Sequence, residues 1–171
     1  MDNIRALAVE KTRSNTLVSW VSILGIALVA PLFPLQQVTG PIINALLFIA
    51  VVILGLKQTL PICFIPSVMA LMAGLLLPVM IPIVPFIMLG NIVLVVTFAY
   101  FYQKNFWLGV ALASLAKFIF IWSTTTAVAN IFIKTPTIVN KIAQLMSWPQ
   151  LLTALGGGVL AYAFLKFIKR I

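Results

Sequence analysis

The 171-residue chain has no histidine, one cysteine and two acidic residues, Asp2 and Glu10, both at the N-terminus. Without an imidazole there is no ligand for haem or a histidine-containing zinc site, and no base for a Ser–His or Cys–His pair. A lone cysteine excludes an intrachain disulfide, and Cys63 lies in an apolar run where it reads as a small packing residue. After Glu10 no carboxylate occurs at all. That removes intramembrane acid pairs of the kind used by aspartyl proteases and proton relays, and the buried Asp or Glu usual in self-energised carriers. No GK[ST] follows the glycines Gly156-Gly157-Gly158, so they are no phosphate loop and read as a packing or bending site. The chain is read as a non-enzyme without cofactor or metal, a protein that binds rather than transforms.

Charge of either sign is scarce. Charged residues are 8% of the chain and hydrophobic ones 63%, with mean hydropathy +1.21; soluble domains carry about 25% charge. This is the composition of an integral membrane protein whose first partner is the lipid bilayer. The net charge of +9 does not point to nucleic acid, because the basic residues punctuate apolar runs instead of clustering with aromatics on one face.

The charge-free intervals count the crossings. Arg13 and Lys57 are 43 uncharged residues apart, and Lys57 and Lys104 are 46 apart. Each fits a helical hairpin at about 20 residues per crossing. The stretch from Lys104 to Lys134 holds one long span, and the 24 residues between Lys141 and Lys166 hold another. The expected fold is all-α, a single bundle of six transmembrane helices over residues 1–171. The spans fall at about 16–33, 42–56, 60–77, 82–102, 106–133 and 149–167, after a cytoplasmic N-terminal segment at 1–15. Pro31, Pro34 and the run Gln36-Gln37-Val38-Thr39-Gly40-Pro41 read as the break between spans one and two, and Pro78, Pro82 and Pro85 as the break between three and four. Pro61 and Pro66 are expected to kink span three. With both termini inside, Arg5, Lys11, Arg13, Lys57, Lys104, Lys166, Lys169 and Arg170 are cytoplasmic and only Lys134 and Lys141 lie outside, as the positive-inside rule requires.

One charge interrupts the fifth span, FWLGVALASLAKFIFIWSTTTAVANIF. Lys117 lies 11 residues after Phe106, about 16 Å along a helix and near half the hydrocarbon depth. An ammonium there costs about 2.5–3.5 kcal/mol or more on insertion scales, so such residues usually face a cavity or a partner. Two readings are open for it: a functional cation awaiting an anion from outside the chain, or a lysine snorkelling towards the Lys104 interface. Other polar residues gather in the outer half on four spans: Gln37, Thr39 and Asn44; Asn91; Thr124 and its neighbours; Gln150 and Thr153. Unpaired polar groups in hydrocarbon cost several kcal/mol, so this bias suggests a polar pocket open to the outside. Asn91 reads equally as interhelical glue, and the hydroxyls of 123–126 equally as backbone-bonded. Span six carries one small and polar face of Gln150, Thr153, Ala154, Gly157 and Ala161, suited to close packing on the lysine-bearing span.

A six-span, histidine-poor, basic chain of this length, with the segment GPIINALLFIAVVILG before an inside lysine, resembles the substrate-binding S component of energy-coupling-factor (ECF) vitamin importers. The resemblance implies a bacterial or archaeal plasma membrane, a partner ECF transmembrane coupling subunit and two cytoplasmic ATPases. It also implies an outer-face site using Asn91, Lys117 and the region Trp148 to Gln150, with residues 35–41 as a lid. Span one departs from that family's Ala-x-x-x-Ala docking stripe, having Gly25, Ala27 and Ala30 instead. The leading expectation is a solute-binding subunit in which Lys117 neutralises an anionic group. Asn91, Asn44, Gln37, Gln150 and Thr124 would orient the solute, and Trp122 or Trp148 would stack on it. The alternative is a non-catalytic anchoring subunit of a larger complex, with a filled interior; a channel would need polar residues through the inner half, which contributes little besides Ser22, Thr97 and Ser114.

Overall fold

In lipid every backbone N–H and C=O must find its partner within the protein, so long apolar runs coil into helices. The computed structural model describes residues 18–33, 35–76, 78–132 and 136–171, and among them all regular structure is helical. The N-terminal segment 1–15, Pro34 and Lys134 lie outside the described residues. Helix α1 spans Val18–Leu32, its last turn (Ala30–Leu32) tightened to 3-10 over Pro31. Helix α2 is Gln36–Leu54 and α3 spans Leu56–Met72. A 3-10 turn at Pro78–Ile83 leads into α4, Val84–Phe101, with Pro85 in its first turn, where a missing N–H leaves no ladder bond open. Then come α5, Phe106–Phe132, α6, Pro136–Leu145, and α7, Trp148–Phe167. Among the described residues four stretches are long and apolar enough to cross a membrane: Gln37–Leu54, Met80–Phe101, Phe106–Ile131 and Ile142–Phe167. Val18–Leu32 and Leu56–Met72 are shorter apolar helices.

Two details differ from the sequence expectation. The run expected to form a turn and lid at residues 35–41 is instead the start of α2. The Leu35 carbonyl anchors it, accepting the N–H of Val38 and of Thr39 and the Thr39 hydroxyl. Pro41 then withholds only the one donor that Gln37 would receive four residues back. The second difference is α6, in a segment read as a loop. Ile142 is buried one helical turn after Val139 and one before Met146, while Thr137, Asn140 and Gln144 are exposed, the 3.6-residue pattern of an amphipathic helix.

Among the described residues the bundle has two apolar cores. One surrounds Phe48, Leu47, Val51, Leu94 and Phe98 and draws Val110 and Ala113 from α5. The other joins Met80, Ile83, Ile121, Val128, Ile142 and Met146. Around the first lies an aromatic cluster, with Phe98 on Tyr102 (5.1 Å between centroids) and Trp107 on Tyr162 (4.8 Å), and Lys166 near the Tyr162 ring. At the same end the Trp20 indole donates to Gln58 Oε1 at 2.7 Å, and Gly55, at φ +85°, lets α2 turn directly into α3 beside Lys57. Lys57, Lys104 and Lys166 thus share one end of the bundle.

Helices α2 and α7 approach closely because glycines face them. A Cβ built on Gly157 would lie 2.6 Å from Asn44 Cβ, 2.8 Å from the Ala45 nitrogen and 2.9 Å from the Pro41 oxygen. One on Gly40 would lie 2.8 Å from Thr153 Cγ2. The next glycine, Gly158, faces Val110 of α5. The closest face of α7 therefore meets α2, and its packing on the lysine-bearing α5 is through Gly158. The small residues of α1 divide: Ala27 and Ala30 are buried, whereas a methyl group placed on Gly25 would meet nothing within 4 Å. Replacing Gly157 with Ala should therefore destabilise the bundle by about 1–3 kcal/mol, read as a fall in thermal unfolding temperature in detergent, while Gly25→Ala stays within about 0.5 kcal/mol of the parent.

Candidate functional site

Pro61 and Pro66 each remove a ladder donor, and between them α3 narrows to a 3-10 turn at Pro61–Cys63 before resuming at Ile65–Met72. The interruption presents a backbone carbonyl inside the bundle. The Cys63 oxygen accepts the Asn91 Nδ2 of α4 at 3.0 Å. That bond commits the nitrogen end of the Asn91 amide to α3 and turns its Oδ1 towards α5. Next to it, Gly90 has no side chain, and the space is filled by Ile121 and the Lys117 stem, whose Cγ is 3.8 Å from the Cβ position. A Cβ there would collide with Ile121 at 2.6 Å, so Gly90 lets α5 pack closely on α4.

Lys117 is 4% exposed. Its Nζ donates to Asn44 Oδ1 at 2.6 Å and to Asn91 Oδ1 at 2.8 Å, so one ammonium ties α2, α4 and α5 together. Both acceptors are neutral dipoles. They satisfy two of the three N–H groups but leave the positive charge uncompensated, and among the described residues there is no acidic side chain. One turn earlier on α5, the fully buried Ser114 hydroxyl has no hydrogen-bond partner among the described residues. Lys117 sits on α5 between the parts of that helix that enter the two apolar cores.

The lysine forms the floor of a cavity of about 330 Å³. Asn44 and Asn91 flank it, Thr39, Ser67, Thr153 and Gln150 add polar groups, and the remaining walls are apolar, with Phe33, Ile43, Leu76, Met80, Ile87 and Met146 prominent. The lining comes from the end of α1, the start of α2, the end of α3, the approach to α4 and the start of α7. Those ends lie opposite the one that holds Lys57, Lys104 and Lys166. A second groove, about 370 Å³ between α1, α2 and α7, is lined by no ionisable side chain among the described residues.

Of the residues singled out in the sequence, Lys117, Asn91, Asn44 and Gln150 line this one cavity. Four others are elsewhere. Trp148 is 66% exposed and stacks on Phe118 at 5.6 Å, and Trp122 is 49% exposed. Gln37 is exposed at the first turn of α2. The Thr124 hydroxyl donates to the Phe120 carbonyl at 2.6 Å, Thr125 likewise to Ile121, and Ser123 to Ile119, as helix hydroxyls do. Ser67 and the Cys63 carbonyl escaped the sequence reading; the proline pair on either side is the signal that a backbone acceptor would be freed there. No family model matches the chain, and neither a curated protein nor a solved structure is significantly similar to it.

The triad has a measurable consequence. Asn91→Leu takes an acceptor from Lys117 and the donor from the Cys63 carbonyl, and should destabilise by about 2–4 kcal/mol. In a Lys117→Met background the same change should cost less, the double-mutant cycle returning about 1–3 kcal/mol of coupling from chemical or thermal unfolding in detergent.

Proposed function

We propose that the protein is the solute-binding membrane subunit of an importer, taking a small anionic solute into the cavity above Lys117. The observation that carries this reading is a buried ammonium held by two neutral amide oxygens at the floor of an open, otherwise largely apolar chamber. An unneutralised charge in such a place is expensive to keep, and a solute anion would complete it. Small-molecule sites have this composition, apolar walls with a few convergent polar groups.

In this reading six helices cross a bacterial or archaeal plasma membrane and both termini are cytoplasmic. The end bearing Lys57, Lys104 and Lys166 lies inside by the positive-inside rule, which turns the cavity mouth outward. The likeness to ECF S components supplies the rest: a transmembrane coupling subunit and cytoplasmic ATPases would provide the energy that this chain has no group to harvest. An anchoring subunit would have a filled interior, and the chamber disfavours it. The test is a thermal-shift and mass-spectrometric search for solute copurifying with the protein in detergent. The expected outcome is a small anion whose affinity falls about tenfold or more in Lys117→Ala. Unchanged affinity in that variant would exclude the charge-pairing mechanism. Reporters fused to each terminus should both read cytoplasmic.

A further inference from the structure

We infer that the solute is a monocarboxylate with a compact, mostly apolar body, its carboxylate seated between Lys117 Nζ and the side-chain amide of Asn44. This rests on the reading of the cavity as a solute site and adds the class of solute.

The donor inventory leads there. A lysine ammonium has three donors, and two are engaged by Asn44 and Asn91. Asn44 offers its oxygen to Lys117, and among the described residues nothing accepts from its Nδ2. Of the other polar groups lining the cavity, the Ser67 hydroxyl has no hydrogen-bond partner among the described residues, and three are engaged. Asn91 Nδ2 donates to Cys63, the Thr39 hydroxyl to the Leu35 carbonyl at 3.2 Å, and the Thr153 hydroxyl to the Gln150 carbonyl at 3.1 Å. The third ammonium hydrogen and the Asn44 amide nitrogen belong to two side chains already joined by a hydrogen bond of 2.6 Å, neighbouring donors for the two oxygens of one carboxylate.

Charge balance excludes a larger anion. Among the described residues Lys117 is the single charged side chain lining the cavity. One carboxylate neutralises it. A phosphate monoester carries about −1.5 to −2 at neutral pH and would bury a surplus negative charge against Phe33, Ile87 and Met80, which is strongly unfavourable. The walls set the body. A sugar or nucleoside would leave several hydroxyls facing apolar side chains without partners. The volume of about 330 Å³ equals roughly eleven waters at about 30 Å³ each, room for a solute of about ten to fifteen non-hydrogen atoms.

The experiment uses the full chain purified in detergent. Thermal shift is measured with 3-phenylpropanoate, indole-3-propanoate and octanoate, each beside its primary amide, and with phenyl phosphate. A solvent extract of the purified protein is analysed by mass spectrometry. Stabilisation by at least one carboxylate, about 3 °C or more, with none from its amide or from phenyl phosphate, or a single-carboxyl compound in the extract, supports the inference. Asn44→Asp supplies the ammonium with a counter-ion from within the chain and should weaken carboxylate binding about tenfold or more; if that variant does not fold, Lys117→Met serves. Carboxylate binding undiminished in the variant overturns the inference. So does a phosphorylated or neutral solute in the extract, or equal stabilisation by the amides, and in these cases the solute-site reading stands. No shift from any probe together with an extract free of small molecules overturns both.

Discussion

A positive charge in the middle of an apolar bundle has to be held, and here two amide oxygens hold it. The Lys117 ammonium reaches Asn44 on α2 and Asn91 on α4 from α5, so three helices are fixed relative to one another by one side chain. The geometry upstream serves this contact. The interrupted α3 lends a carbonyl that orients Asn91, Gly90 makes room for Ile121 so that α5 sits close to α4, and Gly157 lets α7 press α2 into place at Asn44. Neutral acceptors were enough to hold the group without discharging it. A carboxylate in either position would have made a closed ion pair instead.

The interior is graded from end to end. At one end aromatic rings and aliphatic side chains fill the space around Phe98. At the other the helices part around a chamber, and a smaller apolar cluster of Met80, Ile121, Ile142 and Met146 supports its side. The division follows the chain: β-branched and aromatic residues crowd the middle of α2 and the second half of α4, whereas prolines and small residues collect where α1 ends and α3 breaks. Those prolines fit only where the regular ladder is already lost, which is also where side chains stop interlocking and space opens.

Much of this was legible in the residues. Charge-free intervals located the four long apolar helices among the described residues, because a charge in lipid is costly and a run of about 20 apolar residues has few other folds. Lys117 and Asn91 could be singled out for the same reason, as could Asn44 and Gln150. Residue type alone was no guide for the aromatics: Trp122 and Trp148 look like stacking partners, yet each is exposed on the outward side of its helix, where lipid or headgroups accept an indole as readily as a pocket does. Thr124 was lost to its own backbone. The amphipathic α6 was missed because two lysines near it drew it into a loop, although Ile142 and Met146 already stood four residues apart. The start of α2 was misread because Gly40 and Pro41 are turn residues by statistics; here tertiary packing of Gly40 on Thr153 outweighs that tendency.

The glycine contacts between α2 and α7 also decide which walls can yield. With Gly157 against the backbone of Ala45 and Gly40 against Thr153, neither helix can slide along its neighbour without steric collision. That pair is a stiff spine, and shear is confined to the opposite flank. There α3, interrupted at Pro61 and Pro66, lacks ladder bonds and is the wall of the cavity with the least to hold it straight.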